Sequence, residues 1–254
     1  MNDHELAGQL ARQTGELLLQ VRSEAQREGV DDKELRSRGD NRANELILAT
    51  LAKERPDDAI LSEESKDDPA RLQASRVWIV DPLDGTREFA EGRDDWAVHI
   101  ALVSGGTPIA GAVALPGMGK VLVTRPAPTV VGDVPARPRL VVSRTRPPKV
   151  ATYLAEQLDA DLVPMGSAGA KTMAIVLGHA DVYAHAGGQY EWDSCAPVAV
   201  AAAAGLFTSR LDGSPLVYNN ADPYLPDLLV CRSELEVRVR AAIATAPPGS
   251  FETA

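Results

Sequence analysis

Only two cysteines occur in the 254 residues, Cys195 and Cys231, and neither stands in a CxxC pair or beside a His-Cys group. That argues against a zinc or redox motif and for two reduced core thiols. There is no basic excess: 26 Lys and Arg stand against 36 Asp and Glu, a net charge of −10. Proteins that grip a nucleic-acid backbone need a basic face, so that class is set aside. No apolar run is long enough to cross a membrane. The first residues, Met1-Asn2-Asp3-His4-Glu5, are acidic where an export leader would be basic, so a cytoplasmic protein is expected. Low-complexity tracts and internal repeats are absent too. What remains is ordinary globular composition, 44% hydrophobic and 24% charged, in a chain able to bury a sizeable core.

The pattern along the chain falls into two halves. Residues 6–27 place Leu6, Leu10, Leu17, Leu18 and Val21 at helical spacing, and the polar stretch 28–33 ends that helix. Asp40 is placed to N-cap a second helix with Ala43, Leu46, Ile47, Thr50 and Leu51 as its buried stripe, stopped by Pro56. Short β-type runs follow at 59–63 and 77–81, each ending in carboxylates. Three apolar runs at 96–103, 108–115 and 120–124 are separated by Gly-rich turns, as in an antiparallel meander. Residues 125–139, with four prolines and no periodicity, read as a connection. Beyond it, strands at 140–143, 162–164, 181–185 and 228–231 alternate with helices at 148–158, 168–177, 193–204 and 234–244. This is a layered α/β (α+β) chain with subdomains 1–135 and 136–254 and a cleft between them. The tail after Ala244, with Pro247-Pro248-Gly249-Ser250, is expected to be disordered.

The chemistry concentrates in Asp81-Pro82-Leu83-Asp84-Gly85-Thr86. An apolar strand delivers Asp81 at its end, Pro82 turns the chain, and Asp84 returns three residues later. Two hard carboxylates with a backbone carbonyl between them suit Mg²⁺. Gly85 and Thr86 follow at a helix start, where free N–H groups favour a phosphate. The same residues also fit a plain capped turn in which both aspartates only satisfy backbone donors. Two further acidic elements bear on the choice. Glu63 and Glu64 end the strand ahead of Asp81, and Asp193 lies in the first turn of an alanine-rich helix begun by Glu191-Trp192-Asp193.

This order of elements resembles the inositol monophosphatase-like superfamily, whose patterns include an EE pair after a strand, the DPLDGT turn and a WD near the start of a late helix. The likeness runs from the first helix through Val217, and DPLDGT with WDSCAPVAVAAAAG is its most specific part. It implies a sugar-phosphatase-like αβαβα sandwich and phosphomonoester hydrolysis with two or three Mg²⁺ ions. By resemblance, Glu63, Asp81, Asp84 and Asp193 are metal ligands, with Leu83 contributing its main-chain carbonyl. Asp40 and Thr86 match the pair thought to orient and deprotonate the attacking water, and Glu64 stands behind the ligands. Gly85 and Thr86 would hold the phosphate by their N–H groups. Gly166, Ser167 and Ala168 match the segment lining the substrate's sugar side. Lithium inhibition and a homodimer are further implications. His99, His179 and His185 are taken as structural.

Two details resemble the CysQ-like 3′(2′),5′-bisphosphate nucleotidase branch, which acts on adenosine 3′,5′-bisphosphate (PAP). The turn continues Arg87-Glu88-Phe89, like the basic DGT-K/R-E-F of PAP phosphatases. Arg87 fits a substrate contact or a surface salt bridge with Glu88 or Glu91. The acidic residue that inositol monophosphatases carry seven positions before the WD aspartate is Ala186 here, which removes a hydroxyl partner. Arg144 or Arg146 could meet a second anion, and Ser209-Arg210 is the only available guess for adenine. A sugar phosphatase acting on inositol 1-phosphate or fructose 1,6-bisphosphate stays open, as does a silent metal- and phosphate-binding regulator.

Overall fold

The computed structural model of the protein describes residues 1–247 and 251; residues 248–250 and 252–254, on which the disordered-tail expectation mostly falls, lie outside the described residues. Helix α1 (Asp3–Glu28) opens with a reciprocal box between Asn2 and Glu5 and closes on Gly29. It satisfies its terminal donors and acceptors locally. Helix α2 (Asp32–Glu54) is capped by Asp31, whose side chain accepts from the Glu34 N–H. Asp40 therefore lies mid-helix rather than at the expected N-cap, because Asp31 captures the end nine residues earlier.

The first sheet has the order β1-β2-β3-β4-β5, built from β1 (Ala59–Ser62), β2 (Val77–Asp84), β3 (Ala97–Ser104), β4 (Thr107–Leu115) and β5 (Lys120–Val123). β1 and β2 are parallel, and β3 to β5 form the antiparallel meander. The second sheet has the order β7-β6-β8-β10-β9. Its strands are β6 (Arg139–Ser143), β7 (Asp161–Met165), β8 (Val182–Tyr190), β9 (Phe207–Ser209) and β10 (Tyr224–Cys231). Strand β9 was not legible in the sequence: three residues are too few to show alternation.

Three cores define the layers. α1 and α2 pack Leu10, Leu18 and Ile47 onto Trp78, Val80 and Ile100 of the first sheet. On its other face, Ile79, Ala101 and Val113 meet α5 (Ala168–Val176) and α6 (Glu191–Ala203), which also touch Val141 and Val230 of the second sheet. The outer face of that sheet is covered by α4 (Lys149–Leu158) and α7 (Glu236–Ala244) through Leu154 and Val239. The result is the five-layer αβαβα sandwich expected. Helices α5 and α6 are the middle layer, so elements from the second half end beside the carboxylates of the first. No helix among the described residues is long and apolar enough to cross a membrane.

Candidate metal and phosphate site

In a regular strand, residues three apart face opposite sides of the sheet. Asp81 and Asp84 avoid this because the β2–β3 register slips between them, Asp81 pairing with His99 and Asp84 with Ala97. The irregularity turns both carboxylates toward His99, which is opposite Asp81 and wholly buried. One ligand atom each from Asp81, Asp84 and His99 lies within 4.8 Å of the others. Helix α3 (Thr86–Ala90) starts immediately after Gly85, whose φ of +90° favours glycine.

Asp84 is the most heavily bound of the acids. Its Oδ2 accepts from the Ser167 hydroxyl at 2.5 Å and the Gly169 N–H at 2.7 Å, and His99 Nε2 lies 3.2 Å away. His99 Nδ1 lies 2.9 Å from the Trp192 carbonyl, an atom that can only accept, so Nδ1 donates. Burial alone would raise Asp84, but His99, Lys171 and Ser167 hold it at about 2. Burial would lower His99, yet Asp84 pulls it above its ordinary value. Ser167 sits at φ +49°, ψ 137°, a region a serine rarely adopts. It is held there through two atoms: Oγ donates to Asp84 and accepts from the Ala170 N–H, and its carbonyl accepts from Lys171 Nζ at 2.7 Å.

The other acids lack such partners. Asp81 is buried, with Oδ1 accepting from the Leu83 N–H. Burial and then Glu63, Asp84 and Asp193 push it well above the usual carboxylate range. Glu63 lies at the solvent side of the group; the protein packed around it, then Asp84, Glu64 and Asp40, raise it to about 7 despite a hydrogen bond with Asp81. Asp193 reaches about 7 through burial and Asp84, although its Oδ2 accepts from the Tyr190 N–H. Asp40 reaches about 7 through burial and then Glu64. A group of carboxyls that raise one another, with His99 and Lys171 beside Asp84 and Arg36 beside Asp40 as counter-charges, is the electrostatic condition a hard divalent cation relieves. The donor set fits such an ion.

The residues around the turn find these partners. Thr86 Oγ donates to the Leu83 carbonyl at 3.2 Å. Glu88 does not pair with Arg87. It turns inward to Arg144 at 3.3 Å, because Arg144 comes from the second half of the chain to bridge Glu88 and Asp95. Arg87 is left exposed with no ion pair among the described residues. Arg144 is thus spent on the seam between the halves, where the Gly166 N–H also donates to Asp95 at 2.7 Å. Arg210, offered for adenine, forks onto Asp227 at 2.8 Å by two nitrogens. Glu191 is consumed as well, accepting from the Asn219 and Asn220 N–H groups at 2.6 and 2.7 Å.

Three contributors were missed. His99 reads as a core residue in an apolar strand. Lys171 reads as one polar residue in an apolar helix, and that was its signal: a charge amid Ala, Met, Ile and Val requires partners. Asn44 lies one helical turn beyond Asp40. Its carbonyl accepts from Ser62 Oγ at 2.8 Å and its amide donates to Ser65 Oγ at 3.1 Å, fixing the turn that carries Glu63 and Glu64.

Fold and site together define a member of the inositol monophosphatase family, whose model matches residues 3–243; the chain belongs to it. Within that family, it is similar to the 3′-phosphoadenosine 5′-phosphate phosphatase of Mycobacterium tuberculosis (strain CDC 1551 / Oshkosh), 54% identical over 242 residues that cover 91% of this chain and 90% of that protein. It is also 31% identical to the Escherichia coli K12 3′(2′),5′-bisphosphate nucleotidase CysQ, over 85% of this chain and 94% of that one. The crystal structure of CysQ from Bacteroides thetaiotaomicron superposes with a TM-score of 0.77 at 28% identity, covering 89% of this chain and 96% of that one.

Proposed function

We propose that this chain is a Mg²⁺-dependent phosphatase that removes the 3′-phosphate of adenosine 3′,5′-bisphosphate to give AMP, in sulfur assimilation in the cytoplasm. The observation that carries the reading is the gathering of Asp40, Glu63, Asp81, Asp84 and Asp193, from both halves of the chain, with three of these carboxyls raised to about 7. In this reading residues 1–135 supply most of the ligands and residues 136–254 complete the site and the substrate cleft. Glu63, Asp81, Asp84, Asp193 and the Leu83 carbonyl hold two or three ions. Bound Mg²⁺ would neutralise phosphoryl oxygens and make water acidic enough to attack at neutral pH.

The remaining work falls to the chain itself. The Thr86 hydroxyl, with its proton given to the Leu83 carbonyl, keeps its oxygen free to accept from the attacking water. Asp40 takes the proton; Glu64 beside it keeps its carboxyl basic. The N–H groups of Gly85 and Thr86 and the unpaired Arg87 bind the phosphate. Gly166, Ser167 and Ala168 line the sugar side, with Ser167 also fixing Asp84. The substrate is supported by the activities named for the mycobacterial and Escherichia coli relatives and by Arg87 having no ion pair among the described residues.

Phosphate release by the purified chain with Mg²⁺ tests this, comparing PAP, inositol 1-phosphate and fructose 1,6-bisphosphate. PAP is expected to give the highest kcat/KM. Faster turnover of either sugar phosphate would replace the nucleotidase reading, and no release from any of the three would make the chain a silent binder.

A further inference from the structure

Aromatic residues make up only 4% of the chain, yet three of them meet where α6 begins. The rings of Tyr190 and Trp192 are stacked, 4.9 Å between centroids and 9° between planes. Tyr224, paired with Tyr190 across β8 and β10, closes edge-on at 5.8 Å and 81°. Tyr190 is nevertheless 42% exposed. Its backbone N–H donates to Asp193 Oδ2 at 2.7 Å, so the ring belongs to a residue one hydrogen bond from the acid cluster.

Phosphoryl chemistry does not call for this ring, which offers no anionic ligand. Core packing does not call for it either, since so much of it faces solvent. Trp192 stacked on one face and Tyr224 packed at right angles to the ring restrict its orientation. A held, half-exposed aromatic ring is a stacking surface for a planar heterocycle, because little side-chain freedom remains to be lost on binding. The charged candidates for base recognition are engaged elsewhere, Arg210 with Asp227 and Glu191 with the Asn219-Asn220 backbone.

We propose that Tyr190 is the platform on which the purine ring of a nucleotide substrate stacks while the acid cluster engages its phosphate. This rests on the nucleotidase reading above. Stacking of one base on an aromatic side chain corresponds to roughly 5- to 150-fold in affinity, and that is the specificity the ring contributes.

The test compares wild type, Tyr190→Ala and Tyr190→Phe with PAP, with uridine 3′,5′-bisphosphate, and with inorganic phosphate as a base-free competitive inhibitor. Tyr190→Ala is expected to raise the KM for PAP about tenfold. It should erase the preference for PAP over the pyrimidine compound, leave kcat within about twofold and leave the inhibition constant of phosphate unchanged. Tyr190→Phe, which keeps the ring, should match wild type. An unchanged KM for PAP, or a phosphate inhibition constant that moves in step with it, would overturn the platform alone. A wild type that does not hydrolyse PAP would overturn the nucleotidase reading and the platform with it.

Discussion

A methyl group on Gly169 is the most informative small perturbation of the site. Gly169→Ala would place a Cβ 2.0 Å from His99 Nε2 and 3.0 Å from each adjoining ring carbon. The ring cannot step aside, being wholly buried and tied through Nδ1 to the Trp192 carbonyl. The sign of the effect is diagnostic. In an open helix interior, Gly→Ala stabilises by about 1 kcal/mol. Here overpacking costs about 1–3 kcal/mol. A shifted first turn of α5 also stretches the Ser167 and Gly169 hydrogen bonds to Asp84, each worth about 1.5–3 kcal/mol as bonds to a charged group. Full loss of both is not expected, so the net is a destabilisation of about 2–4 kcal/mol. For a chain of this size that lowers Tm by roughly 4–16 °C. The assay is a double-mutant cycle with His99→Ala, read by thermal and urea unfolding. Removing the ring makes room for the methyl, so Gly169→Ala is expected to cost less than about 1 kcal/mol in that background, a coupling of at least about 1 kcal/mol. Additive costs, or a single variant more stable than wild type, would refute the reasoning.

Asp84→Asn keeps an oxygen for Ser167 and Gly169, so the protein should fold, but Mg²⁺ binding by calorimetry should vanish and activity fall at least about 100-fold; retained metal binding would remove Asp84 from the site. Arg87→Ala removes no hydrogen bond or ion pair seen among the described residues, so Tm should not move while the KM for PAP rises about tenfold; a shift in Tm without a change in KM would contradict its substrate role. In the metal-free protein, Asp40, Glu63 and Asp193 are all raised to about 7, above the ordinary carboxyl values that hold when unfolded. The folded state therefore binds their protons more tightly, and their stabilising contribution is lost as pH rises from about 4 through about 7. Metal-free Tm should fall across that window, and added Mg²⁺ should restore more at pH 8 than at pH 5. An Mg²⁺ effect independent of pH would show that those carboxyls are not its competitors.

What the sequence could reveal followed from contiguity. The strand ending in Asp81-Pro82-Leu83-Asp84, the meander behind it and the helix opening on Trp192-Asp193 each announce themselves within a dozen residues, because period, turn chemistry and carboxylate spacing are local signals. The layered sandwich follows from the order of those elements. Asp40 looks like a cap in the sequence, and only the better-placed Asp31 shows that the helix has already begun. His99 was unreadable for a different reason. Its strand is apolar on both faces, so nothing local distinguishes a packed histidine from one aimed at carboxylates. The register slip at Asp81–Asp84 decides that, and a slip depends on the partner strand. Glu88 and Arg144 are 56 residues apart, and such pairing is set by the meeting of two halves rather than by sequence neighbours.

That meeting also constrains how the metal site works. The recorded protein contacts of the Asp84 carboxylate all fall on Oδ2, from Ser167, Gly169 and His99, leaving Oδ1 as the oxygen available to a cation. Two of those donors belong to the second half of the chain, and His99 is itself anchored to the carbonyl of Trp192, beside Asp193. The halves therefore dock partly through a residue proposed to hold the ion, with the Arg144 and Gly166 contacts to Glu88 and Asp95 as the outer clasp. Loosening the clasp is expected to shift Asp84 and Asp193 together, whereas each half keeps apolar packing of its own and the core shared between them is untouched. Metal affinity must then respond to the seam more steeply than global stability does. A variant such as Arg144→Ala should weaken Mg²⁺ binding while the protein is still folded; equal loss of both, or loss of stability alone, would mean that the seam is ordinary packing and that Asp84 is positioned by β2 without help.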